Sequence, residues 1–391
     1  MATYPLFSPP ETVNVVHPRE YVVFRSPELA EARAVAVSVP GAVRPFGAES
    51  RTSLLEEQFT ARTGVAYAVA TASREAALRL AMRALGLGTG DDVVVPAVAP
   101  MPTANAVLQA GATPAVCDVD AGTHIPHPDD VDRVRTKRTR ALIVTHLGGR
   151  AADLTALGAY AREIGAFLIN DAGLAVDAQH AGRSIAQFGT LSIYGSDPAR
   201  QNGTREGGII LTDDPVLAGR LAALRANRTD AAEEAPVRTA GADLRMSASQ
   251  ASEGLRFLEN IDAVNRRRRM IWNRYDEALA GQPVLRPVPV TPGDRHGLCD
   301  YTVMVTAESC AGGRDALALA LHHARIGTAV HYRGVHLHPR FRDALGYTPE
   351  DLPVASRISN QTLSLPISAV MTDRDVEYVI ATLTNILDTP R

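Results

Sequence analysis

From Phe46 onward the chain alternates short β-rich runs with stretches of helical periodicity, and few folds accept that order. "DDVVVP", "TPAVCDVD", "RALIVTH", "GAFLIND" and "GTLSIYG" are apolar runs bounded by turn residues. "TANAVLQAG" and "ADLTALGAYAREIG" between them carry apolar residues at helical spacing. So does "SREAALRLAMRALGLG", with Ser73 placed to cap its start and Gly86 near its end. Repeated strand–helix units of this kind build a mostly parallel sheet covered by helices on both faces. Ligands bind such sheets at the carboxyl ends of the strands. His146, Asp171, Tyr194 and Gly195 all fall at such ends.

The length of 391 residues suits two domains. An irregular, proline-interrupted arm is expected over 1–45, a large domain over 46–265 and a smaller C-terminal α/β domain over 266–391. A long helix is predicted over 246–279, through the arginine run 266–269, which reads as a solvated face or a domain junction. The small domain should hold the strand "DYTVMVTA", the helix "GRDALALALHHA" and the strand "GTAVHY".

A net charge of -3 gives no reason to expect nucleic acid or an anionic membrane as a partner. No apolar run reaches the roughly 18 residues of a membrane span, and the N-terminus does not read as a signal peptide. Cys117, Cys299 and Cys310 show no metal spacing and fit reduced thiols in a cytoplasm. His331, His336 and His338 lie close together, but no acidic ligand stands near them, so no metal is expected. Lys137, in "RVRTKRTR", is the sole lysine; all the other basic residues are arginine. Imine chemistry therefore has one side-chain amine available, in a basic, solvated run ahead of a strand.

The order and spacing of "LEEQFTARTGVAYAVA", "ALGLGTGDDVVVP", "TANAVLQAGATPAVCDVD", "NDAG", "DPARQNGTREGG", "DLRMSASQA" and "HYRGVHLHPRF" carry a resemblance. The chain resembles the DegT/DnrJ/EryC1/StrS sugar aminotransferases, fold-type I enzymes that use pyridoxal phosphate (PLP). The likeness spans roughly Phe46 to the C-terminus. It implies an α/β, fold-type I aminotransferase-like fold, with the parallel sheet in the large domain, a small C-terminal domain and a homodimer.

The resemblance places Asp171 where an aspartate pairs with the pyridine nitrogen of PLP. Around it the family pattern is broken. Arg200 stands at the imine-forming lysine, and a guanidinium stays protonated and cannot be that nucleophile. Arg74 and Glu75 replace a Gly-Thr pair at the phosphate cup, Gly195 a serine and Pro100 a stacking aromatic ring. Leu174 replaces a glutamine, and Asp243 an asparagine that reaches the phosphate from a neighbouring subunit. His146, His331, Tyr332 and His336 keep the pattern.

Two readings of these residues stay open. In one, Arg200 forms an ion pair with Asp171 that plugs the vacated site, and Arg74 pairs with Glu75 or Asp243. In the other, Arg74, Arg200 and Arg205 make a cationic pocket for a carboxylate or phosphate. Asp171, Arg200, His146 and Tyr194 are then the candidate catalytic residues, with His146 and Tyr194 as proton carriers. Glu75, Asp243, His331, Tyr332 and His336 join Arg74 and Arg205 as candidate substrate contacts. The expected function is a cofactor-independent enzyme of specialised metabolism acting on a small molecule. The alternatives are a non-catalytic partner of another biosynthetic protein, and an enzyme that still uses PLP or its amine form, PMP, without covalent anchoring.

Overall fold

The computed structural model describes residues 48–173, 175–196, 206–225, 243–280, 285–287, 292–306 and 309–388. The arm expected over 1–45 and the segment carrying Arg200 and Arg205 lie outside them, as does Leu174.

After helix α1 (Ala48–Thr63) come strand β1 (Tyr67–Thr71), helix α2 (Arg74–Ala84) and strand β2 (Asp92–Pro96). Helix α3 (Met101–Gln109) leads to β3 (Thr113–Cys117) and β4 (Thr139–Thr145). Helix α4 (Leu154–Glu163) precedes β5 (Phe167–Gly173), followed by β6 (Leu191–Ser196) and β7 (Gly207–Thr212). These strands form one seven-stranded sheet in the order β1-β7-β6-β5-β4-β2-β3. Strands β3, β2, β4, β5 and β6 run parallel, and β7 alone runs against its neighbours. Every residue of β2 and of β7 is buried, as continuous apolar runs covered on both faces should be. The α/β class and the mostly parallel sheet match the sequence reading.

The local signals hold where the caps are strong. The Ser73 side chain accepts a hydrogen bond from the Ala76 amide at the start of α2, and Gly86 ends the helix at φ 70°. Asp153 caps α4 in the same way, through the amide of Ala156. After α5 (Pro215–Arg225), the long helix α6 runs over Ala248–Leu279, opened by a capping box between Ser247 and Gln250.

Strands β8 (Leu285–Pro287), β9 (Tyr301–Val305) and β10 (Thr362–Leu365) form an antiparallel sheet. It is accompanied by α7 (Gly313–His323) and α8 (Asp373–Asp388), and these elements share a second apolar core with the latter part of α6. The arginine run on α6 serves this junction. Arg267 donates to the Met371 carbonyl and pairs with Asp373, and Arg268 is buried.

Two features of the C-terminal half differ from expectation. "GTAVHY" is not a strand: Ala329 makes a single bridge to Ser364, and the chain then leaves the sheet. That departure carries Tyr332 onto the larger core, while His331 stays bonded to Ser364. Farther on, Val335, Phe341 and Ile358 pack into the larger core, and the Val335 amide donates to the Ala97 carbonyl at 2.7 Å. The second half of the cleft wall is thereby tied to the end of β2.

Candidate active site

The carboxyl ends of β4, β5 and β6 and the start of α2 surround a cavity of about 360 Å³. Asp171 lines it and is 1% exposed. Thr145 is its register partner on β4, so the two side chains leave the sheet on the same face. Asn170 points the other way and holds the Ile185 and Phe188 carbonyls.

The Asp171 carboxylate is held on both oxygens. Arg74 Nε donates to Oδ1 at 2.9 Å, and Arg74 Nη2 donates to Oδ2. Thr103 Oγ1 donates to Oδ2 at 2.6 Å and accepts from Arg74 Nη2 at 3.3 Å. A planar guanidinium matched to a carboxylate in this two-point way gives the stronger, more directional kind of ion pair. Among the described residues the arginine that pairs with Asp171 is Arg74; the expected Arg200 contact lies outside them. Arg74 enters from α2, crosses β6 at Gly195 and does not pair with Glu75 or Asp243 among the described contacts. Nothing in the sequence pattern marked Thr103, which the first turn of α3 brings to the cluster.

Several other sites fall elsewhere than expected. Tyr194 is 1% exposed and lies against Phe59 with ring centroids 6.1 Å apart, away from the cavity-lining set. Side chains alternate along a strand, so Tyr194 and Gly195 face opposite sides of β6. Tyr194 is thus a core residue and no proton carrier for this cleft; burial raises its hydroxyl pKa further. Asp243, which the resemblance assigns to a neighbouring subunit's cleft, is exposed in the single chain and pairs with Arg245 at 3.0 Å. That guanidinium holds its carboxyl below the usual range.

His336 is fully buried, with Nε2 2.8 Å from Ser356 Oγ, and burial lowers its pKa to about 4. It braces the wall and is not part of the lining. His331 lies behind the wall, with Nδ1 2.9 Å from Ser364 Oγ and 3.5 Å from Asp300 Oδ1.

His146, Glu75 and Tyr332 do line the cavity. The ring of His146 accepts at Nδ1 from the Ala152 amide at 3.3 Å, and burial lowers its pKa to about 4, so it is neutral at pH 7. Glu75 is exposed at the rim. The sequence reading missed Thr145, Glu206, Cys299 and Asp300, which complete the lining. Lys137 is exposed ahead of β4, at the opposite end of that strand from Thr145. Seven residues of strand span roughly 20 Å, so its amine does not reach the cavity. Among the described residues no group of His, Cys, Asp and Glu forms a metal site, and no helix is long and apolar enough to cross a membrane.

The family model of the DegT/DnrJ/EryC1/StrS aminotransferases matches residues 34–384. The chain belongs to this family. It is 33% identical over 343 residues to the spore coat polysaccharide biosynthesis protein SpsC of Bacillus subtilis (strain 168), covering 85% of this chain and 88% of that protein. The aminotransferase TlmJ of Streptoalloteichus hindustanus shares 32% identity at a TM-score of 0.81, covering 93% of this chain and 96% of TlmJ. DesV of S. venezuelae, solved in complex with a ketimine intermediate, shares 30% identity at a TM-score of 0.81, over 93% and 95% of the two chains. These likenesses bear out the family resemblance and the fold.

For a pyridoxal ring the family implies a contact between its nitrogen and Asp171. In this arrangement both carboxylate oxygens of Asp171 are already taken by Arg74 and Thr103. The Arg74 side chain occupies the approach over Gly195, and a Cβ on Gly195 would lie 2.7 Å from its Cδ. The residues as placed do not fit the ring at Asp171.

Proposed function

We propose that this family member has given up PLP chemistry and works as a cofactor-independent enzyme of specialised metabolism on a small sugar-like or anionic metabolite. One observation carries the reading: the carboxylate that would meet the ring nitrogen is neutralised from within by Arg74. Releasing it without a second cation in place would leave Asp171 a buried, uncompensated charge, a loss of about 3–5 kcal/mol. Of the two substrate classes, the described lining favours the sugar-like one. Glu75, Glu206 and Asp300 are acidic there, and the positive charge of Arg74 is already spent on Asp171. Hydroxyl groups can donate to such carboxylates, whereas a phosphate or carboxylate would be repelled. Asp171 then orients Arg74 and Thr103, and neutral His146, whose Nδ1 already accepts from the Ala152 amide, carries its proton on Nε2 and acts as a hydrogen-bond donor.

A second reading has its own support. Asp171 keeps its place at the end of β5, the cavity remains, and relatives of 30–32% identity include the aminotransferase TlmJ and DesV, solved in complex with a ketimine intermediate. In that reading Arg74 swings out and PLP or PMP binds without covalent attachment. An absorption spectrum of the purified protein with added PLP or PMP, followed by borohydride reduction and mass spectrometry, separates the two. The first reading expects no retained chromophore and no adduct on Lys137. A stoichiometric coloured complex would overturn it. Co-purification with an active relative from the native host, with no turnover by the chain alone, would replace it with a non-catalytic partner role.

A further inference from the structure

We infer that positions 74 and 195 form a reciprocal packing pair, and that Gly195 is the specificity-determining residue that selects which cation faces Asp171. The second half of this inference rests on the reading of the cleft proposed above; the first half stands on packing alone. Strand β6 passes beneath the first turn of α2. A Cβ built on Gly195 would lie 2.5 Å from Arg74 Cβ, 2.7 Å from Cδ and 3.0 Å from Cγ. Clashes with Cγ and Cδ can be relieved by turning the side chain. The clash with Cβ cannot, because both Cβ positions are fixed by the backbone.

The backbones have little room to part. Ser73 caps α2 through the Ala76 amide, and a Cβ on Gly208 of neighbouring β7 would lie 2.4 Å from the Ser73 carbonyl oxygen. Two glycines thus clamp the start of α2 onto the sheet. At this crossing only one of positions 74 and 195 can carry a side chain. Glycine at 195 lets position 74 hold an arginine, which then runs over the bare strand to Asp171. With the arginine gone, Asp171 keeps Thr103 as its described donor and becomes a buried carboxylate seeking a cation. A protonated ring nitrogen is such a cation.

A double-mutant cycle of Gly195→Ser, Arg74→Gly and the pair, read by thermal unfolding without ligand, tests the packing claim. Gly195→Ser alone should lower Tm by several degrees, and the same change should cost little once Arg74 is glycine. Failure of Gly195→Ser to fold, with recovery in the double variant, supports the claim equally. Additive shifts, with Gly195→Ser costing the same whether position 74 is arginine or glycine, would overturn it. The selection claim is read by titrating pyridoxal phosphate into wild type and double variant. Roughly tenfold tighter binding by the double variant is expected, the size of one charge-assisted hydrogen bond. Unchanged affinity in a coupled, folded double variant sinks that half of the inference. Tight binding by the wild type would sink the proposed function and leave the packing cycle standing.

Discussion

The two walls of the cleft are built on different principles. The sheet-side wall gathers Arg74, Thr103 and Asp171 from three separate elements and holds them by charge. The C-terminal wall carries His331, Tyr332 and His336 and bonds its two histidines to serines, with the Asp300 carboxylate 3.5 Å from His331. The resemblance implies that the first wall departs from the family pattern at Arg74, Pro100 and Gly195 and that the second retains it. The contrast shows where rewiring is possible. A bidentate ion pair can take over a buried carboxylate provided one glycine gives it passage.

The contrast can be broken most sharply at Arg74. Arg74→Met leaves Asp171 buried with Thr103 as its remaining described donor and should cost about 3–5 kcal/mol in urea unfolding. A loss below about 1 kcal/mol, typical of a solvated pair, would mean that the sheet-side wall is not held by charge.

On the other wall the leverage is pH. The pKa of His336 is lowered to about 4 in the folded protein, against about 6.5 in the unfolded chain. Between those values the unfolded chain takes up the proton and the folded one does not. Stability from this group is therefore full above about pH 6.5 and declines as pH falls toward 4. Its share is at most about 3 kcal/mol. His336→Gln should flatten the acid limb of the stability profile; an unchanged slope would remove His336 from the bracing role. His124, His146 and His296 are also buried with lowered pKa values, so part of the slope will remain.

The smallest effect separates the cleft from the core behind it. The Tyr194 hydroxyl has no hydrogen-bond partner among the described residues. Tyr194→Phe should change stability by less than about 1 kcal/mol and leave any turnover intact. A collapse of turnover would return Tyr194 to the site.

The alternation of strand and helix, the Ser73 cap, the mostly parallel sheet and the place of Asp171 at a strand end were all legible in the chain. Each rests on local periodicity, capping or turn chemistry, which act over a few residues. Tyr194 was legible too, had the two-residue period of a strand been applied to it and Gly195 together. "GTAVHY" misled because its composition suits a strand, while the edge of β10 offers it only one bridge.

The sequence by itself determined the layers and the order in which polar residues reach the sheet's carboxyl edge, because those follow from residue spacing along one segment. Only the tertiary structure decided that Asp171 meets Arg74, 97 residues away, with Thr103 beside them. That choice depends on how closely α2 crosses β6, a distance set by the bare backbone of Gly195 and by no periodicity in the chain.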